Sequence, residues 1–183
     1  MLKRMPRRST RDEILVVAAA QFAHVGFKGA SLQEIAAEVG CSKATLLYHF
    51  AGKDAILAAL IAPAAEELAA LDARLAALDG PELQSAAIEG FVDLVLRHRQ
   101  EAALIYGDAA RFLREPAFAF LRPHIDNLCA ALAGRSPDPA DCLAAEVLLG
   151  GIAGVVIDKA GEDLREALVA VAKRALITPH DKD

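Results

Sequence analysis

Residues 31–53, SLQEIAAEVGCSKATLLYHFAGK, limit how this chain can fold more than any other stretch. They predict two short helices joined by a tight turn. Ser31 is a good N-cap, and Glu34 three residues on completes the S-x-x-E pattern of a capping box. Ile35, Ala36 and Val39 give the first helix one apolar face. Gly40 ends it, because glycine enters the left-handed C-terminal conformation without steric cost. Ser42 caps the second helix, whose Leu46 and Phe50 point inward at i, i+4 spacing. Lys43, Ala44, Thr45, Tyr48 and His49 lie between these anchors and are short, polar or planar. Two helices this short around so brief a turn predict a helix-turn-helix, which sets its second helix into a DNA major groove.

The charge distribution points the same way. Residues 1–53 carry eight basic and four acidic side chains, and the remainder carries twelve and twenty-one, for a net charge of −5. A basic head on an acidic body is expected to bring only the head to a polyanion. The arm between Lys3 and Arg11, with Arg7 and Arg8, is suited to phosphates or the minor groove, or is simply a solvated tail. A first helix over residues 10–25 is predicted from the stripe Ile14, Leu15, Ala18 and Phe22, with Gly26 stopping it. Lys43 and Lys53 offer ammonium groups to phosphates, and Ser42 with the helix N-terminus can hold another. Ala44 and the methyl of Thr45 are short enough to approach a thymine methyl, while Tyr48 and His49 are expected at the backbone. For His49 the alternative is packing beside Phe50. The expected DNA-binding set is thus Arg7, Arg8, Ser31, Ser42, Lys43, Ala44, Thr45, Tyr48, His49 and Lys53.

The order of these residues resembles the DNA-binding domain of the tetracycline-repressor (TetR) family of transcriptional regulators. The family pattern has an Ile-Ala pair, a Gly-Val-Ser turn, Thr-Leu-Tyr, His-Phe and a Lys three residues after the Phe. This chain has Ile35-Ala36, Gly40-Cys41-Ser42, Thr45-Leu46-Leu47, His49-Phe50 and Lys53. Cys41 replaces the apolar turn residue, which a small thiol does with little loss of packing. Leu47 stands where the family has a phosphate-touching Tyr, with Tyr48 beside it. The resemblance covers about the first sixty residues closely, and the rest only in length and helical character.

Hydrophobic residues make up 55% of the chain and recur at three- and four-residue spacing, which predicts an all-α fold. The expected domains are a three-helix helix-turn-helix unit, 1–53, and a larger helical ligand-binding and dimerisation bundle, 54–183. Pro63 should kink or break a long helix after Lys53, either as a mere boundary or, as the resemblance implies, as a hinge. Asp79-Gly80-Pro81-Glu82 and Asp138-Pro139 read as helix starts, and a last helix is expected over residues 162–176. Phe91, Tyr106, Phe112, Phe118 and Phe120 are candidates for an apolar small-molecule pocket, with ordinary core as the alternative for each. Residues 147–157 are apolar all round and so are expected to be buried on several sides. They belong either to the centre of a monomer or to a two-fold dimer. The resemblance implies the dimer, a four-helix bundle with Gly150, Gly154, Leu164, Leu168 and Val171 at the interface.

Other classes find little support. The apolar runs 55–65 and 147–157 are too short to span a bilayer, and the charged start has no secretory pattern. Cys41, Cys129 and Cys142 lack metal or disulfide spacing and suit a reducing cytoplasm, and the five histidines are scattered. No nucleophile elbow, phosphate loop or zinc-helix motif occurs, so neither an enzyme nor a cofactor is expected. The expectation is a cytoplasmic homodimeric regulator, a repressor, that binds a palindromic double-stranded DNA operator and is released by a small-molecule effector. The alternative is a helical protein-interaction adaptor without DNA binding.

Overall fold

In a computed structural model, which describes residues 9–106 and 116–177, the chain is helical and the described residues form no strand. Contacts divide it into two compact units, Met1–Ala62 and Pro63–Asp183.

The first unit holds α1 (Thr10–Gly29), α2 (Leu32–Val39), α3 (Lys43–His49) and the beginning of α4 (Lys53–Leu75). Ser9 opens α1 with a full capping box: its hydroxyl accepts from Asp12 N–H, and the Asp12 carboxylate reaches back to the Ser9 backbone. Gly26 breaks the helix as its sequence position predicts. Its φ of 75° and ψ of 162° lie where only glycine sits comfortably, and a single further turn carries the chain to Gly29. Ile14, Ala18 and Phe22 of α1, Ile35 and Ala36 of α2, Leu46 of α3 and then Phe50 are all buried. Ile56, Leu57 and Ile61 are buried as well, so the early turns of α4 fall within this unit and the division lies beyond Lys53. Helix α4 passes through Pro63 without a break, although the ring leaves the Ala59 carbonyl without its usual donor.

The second unit continues α4 and adds α5 (Gly80–Arg97), α6 (Arg99–Tyr106), a 3-10 helix (Pro116–Leu121), α7 (Arg122–Leu132), α8 (Pro139–Asp158) and α9 (Arg165–Leu176). Helix α5 is central and touches α6, α7, α8 and α9. It buries Leu83, Ala87, Ile88, Phe91, Val92 and Val95. A methyl at Gly90 would run into Leu71, so glycine there lets α4 and α5 lie close. Polar side chains tie the rim. Arg165 grips Asp93 at 2.6 and 3.0 Å and Lys173 meets Glu89 at 2.5 Å, which joins α9 to α5. These hydrogen bonds hold both carboxyls below their ordinary values, against the opposing pull of burial.

Helix α8 departs from expectation. With twenty residues and a mean hydropathy of 1.9, it is long and apolar enough by length and composition to cross a membrane, where the sequence suggested runs too short to do so. Within one protomer only 22% of its most apolar stretch is covered, so the protomer alone does not bury it on several sides. Leu143, Val147, Gly151 and Val155, four residues apart, form an open stripe on it. The last helix starts at Arg165 rather than at residue 162, with Leu164 just outside it.

Gly26→Ala should destabilise the first unit by about 1–3 kcal/mol, although nothing lies near the added methyl, because the backbone angle itself excludes it. Urea unfolding followed by circular dichroism gives the value, and an unchanged midpoint would mean that the break tolerates a side chain.

Candidate nucleic-acid interface

The reading geometry starts from the ends of two very short helices. Ser31 accepts from Glu34 N–H at 3.1 Å, so the first half of the expected capping box forms at α2. Gly40 closes α2 in the left-handed conformation, φ 78° and ψ 25°, and the N–H of Cys41 returns to the Ala36 carbonyl at 2.9 Å. Ser42 then caps α3. Its hydroxyl accepts from Thr45 N–H at 3.0 Å and lies 2.9 Å from the Thr45 hydroxyl. Those bonds occupy Ser42 and turn the polar end of Thr45 toward the cap.

Burial sorts the rest of α3. Leu46 is fully buried and Phe50 nearly so, and they anchor the helix to α1 and α2. Lys43, Ala44, Thr45 and Leu47 are exposed, and Tyr48 stands 86% exposed with its ring edge-on to the half-buried His49, 5.3 Å between centroids. The outward face therefore carries one ammonium, two small side chains and a phenol. Arg11 from α1, which the sequence did not single out, lies over the Phe50 ring at 5.0 Å and adds a cation beside the C-terminus of α3. Thirty-nine residues separate the pair, so no local pattern could have revealed it. Arg7 and Arg8 lie outside the described residues.

Lys53 has a different place from the one expected. Its ammonium donates to the carbonyls of Phe27 and Ala30, each at 2.7 Å, with that of Lys28 at 3.4 Å, and it sits 4.9 Å from the centre of the Phe27 ring. The three donors of one ammonium thus meet three carbonyls around the end of α1. The first residue of α4 is thereby clamped to the segment that leads into α2, and a phosphate would have to compete for an ammonium already engaged.

The second unit redistributes the other expected residues. Phe91 and Phe118 are buried, Tyr106 is exposed, and Phe120 is 50% exposed. The cause is local: a 3-10 helix has three residues per turn, so Phe118 and Leu121 share the inner face and Phe120 turns outward. Phe112 lies outside the described residues. Gly150 and Gly154 receive the chain's own Tyr106, whose hydroxyl would stand 3.2 Å from a methyl at Gly154. Leu168 packs inward and Leu164 is half-buried, whereas Val171 is exposed. Of the glycines on α8, Gly151 is the one that faces open space. On α4, Glu67 pairs with Arg97 and lies 2.7 Å from His98 Nε2, while Asp72 lies 2.7 Å from His124 Nδ1 and accepts from Asn127 at 3.1 Å. Burial alone would raise the Asp72 carboxyl, but the bonds from His124 and Asn127 outweigh it and hold the group below its ordinary value.

Residues 14–60 match the model of the bacterial regulatory proteins of the tetR family. Over 180 residues the chain is 30% identical to the HTH-type transcriptional regulator UidR of Escherichia coli (strain K12), covering 92% of this chain and 91% of that protein. Among solved structures, Mycobacterium smegmatis AmtR superposes with a TM-score of 0.66 at 28% identity, covering 100% of this chain and 92% of AmtR. AibR, solved in complex with isovaleryl coenzyme A and operator DNA, also gives 0.66, at 21% identity with 92% and 98% covered, a likeness of fold.

Lys53→Met keeps the aliphatic stem and removes the clamp. Losing charge-assisted bonds of this kind should cost the first unit about 1.5–3 kcal/mol, with faster amide exchange around residues 27–31. DNA affinity should fall equally at every salt concentration. A flatter salt slope would instead show that this ammonium meets a phosphate.

Proposed function

The chain belongs to the TetR family of bacterial transcriptional regulators, and we propose that it acts as a repressor, binding a palindromic operator as a homodimer and leaving it when a small molecule binds the second unit. The family and its curated relatives are DNA-binding regulators rather than enzymes. The observation that carries the reading is the face of α3, where Lys43, Ala44, Thr45 and Tyr48 project over the buried Leu46. Lys43 neutralises a phosphate, Ala44 and Thr45 let the helix backbone sit deep in the groove, and Tyr48 reaches the sugar-phosphate backbone in place of the tyrosine that Leu47 replaces. Ser42 and Ser31 hold the two helices in register, and Arg7 and Arg8 of the arm add phosphate contacts. Such work takes place where the DNA is, in the cytoplasm.

Dimerisation rests on α8 and α9. The stripe Leu143, Val147, Gly151 and Val155, with Val171 from α9, is the face offered to a second copy. Glu146 in mid-helix argues for a protein partner over lipid, because a carboxylate at bilayer depth is costly. A two-fold pair sets the two reading helices about one DNA turn, roughly 34 Å, apart. The effector is a small molecule that meets Phe91 and Phe118 in the second unit, a role in keeping with AibR, which was solved with both isovaleryl coenzyme A and operator DNA. Helix α4, unbroken at Pro63, carries its effect to the reading helices.

Fluorescence anisotropy against the DNA upstream of the chain's own gene, with random duplex as competitor across a salt series, tests the reading. Two protomers per site and resistance to competitor are expected, and Lys43→Ala should reduce the salt slope by about two per dimer. Binding no tighter than to random duplex would count against the operator reading. Val147→Asp places a charge on the stripe and should leave a folded monomer by sedimentation, with specific DNA affinity lost. A dimer that survives this change would move the interface elsewhere.

A further inference from the structure

Two of the three cysteines line one cleft in the second unit. Helices α7 and α8 are packed together and joined by the short connection 133–138, in which Gly134 and Arg135 take positive φ. So short a link makes them antiparallel neighbours. Cys129 stands three residues before the end of α7 and Cys142 three residues after the start of α8, so they occupy the same level of the hairpin. Both line one surface cleft of about 390 Å³, with Ile125 and Leu149 as apolar walls and Asp126 and Glu146 beside them. Packed helices lie with their axes about 8–10 Å apart, so level residues that line one groove face each other from its two walls. Neither thiol is bonded.

Their surroundings differ. Cys142 is exposed, and its Sγ lies 3.6 Å from the Ser136 carbonyl near the turn. Cys129 is half-buried, and burial, with Glu146, Cys142 and Asp126 nearby, pushes its thiol above the ordinary value. Cys142 is therefore the thiol that meets an oxidant first, and Cys129 the one in reserve. Cys142 and Glu146 on the cleft lie about 100° around α8 from Leu143 and Val147 on the stripe, so groove and proposed dimer face are neighbouring sides of one helix.

We propose that Cys129 and Cys142 are a redox pair that closes into an intrachain disulfide, stapling α7 to α8, when the chain meets a hydroperoxide. The Cys142 sulfur attacks the terminal peroxide oxygen. An S–O bond forms, the O–O bond breaks, and water or an alcohol leaves, so Cys142 becomes a sulfenic acid. The Cys129 sulfur then attacks the Cys142 sulfur, the S–O bond breaks, and the departing hydroxide takes the Cys129 proton as a second water. The two sulfurs give up two electrons and the peroxide accepts them. A reducing dithiol reverses the bridge by exchange. Cytosolic disulfides are characteristically transient and regulatory, which is the use such a pair serves.

The test uses the full chain treated with hydrogen peroxide, read by thiol titration and by mass spectrometry of unreduced peptides. Two of the three thiols should disappear, the chain should lose two hydrogens in mass, and the peptides bearing Cys129 and Cys142 should be linked until dithiothreitol is added. Cys129→Ser should still form the sulfenic acid at Cys142, trapped by dimedone, without the intrachain link. Three thiols that persist, a bridge that joins Cys142 of two chains, or a bridge that includes Cys41 would each overturn the pair. None of these readouts depends on DNA binding, so the operator reading stands or falls separately.

Discussion

Helices of eight and seven residues do not hold themselves together in water, and this molecule reads its target with two of them. Everything around α2 and α3 compensates for that weakness. A serine hydroxyl takes up one exposed N–H group at each start, Gly40 folds the chain back at the end of α2, and Leu46 and Phe50 hold α3 down by apolar burial. The same logic reaches the end of α1, where the Lys53 ammonium binds the carbonyls of Phe27 and Ala30. A short helix with fixed ends presents its outward side chains at defined positions, which a frayed one does not.

The second unit is built differently. Among the described residues its core contains only apolar side chains, and the charged groups that join helix to helix lie at the rim. Partly exposed pairs of this kind contribute little to stability, so the apolar faces on α5 supply the cohesion and the rim pairs choose the register. Arg165 and Lys173 do this for α9, and His98 and His124 anchor the far half of α4 through Glu67 and Asp72. Helix α4 is thus gripped near its start by backbone carbonyls and in its later turns by imidazoles.

Local chemistry was legible in the sequence, and long-range chemistry was not. Ser31, Gly26, Gly40, Ser42 and Asp138-Pro139 act within four residues of themselves, so their spacing alone places the helix ends. Lys53 has partners more than twenty residues away, and nothing nearby distinguishes an ammonium that caps a helix from one that waits for a phosphate. Asp79 was read correctly as a helix start, yet its carboxylate serves Arg135, fifty-six residues on, and makes no cap bond. The aromatic residues divide for a narrower reason. Phe118 and Phe120 lie two residues apart, and a 3-10 turn sends one inward and the other outward. The glycines of α8 were rightly read as admitting a close neighbour, but for Gly154 that neighbour is Tyr106 of the same chain.

Val147 is 65% exposed, and the apolar stripe around it, as the proposed dimer face, would give the regulator a dependence on its own abundance. If two copies must pair to cover that stripe and reach both half-sites, paired species scale with the square of protomer number when the protein is scarce. Halving the supply would then quarter the occupancy of a weak site. A gene under such control would respond to a change in dosage or to dilution at cell division more steeply than a one-to-one binder allows.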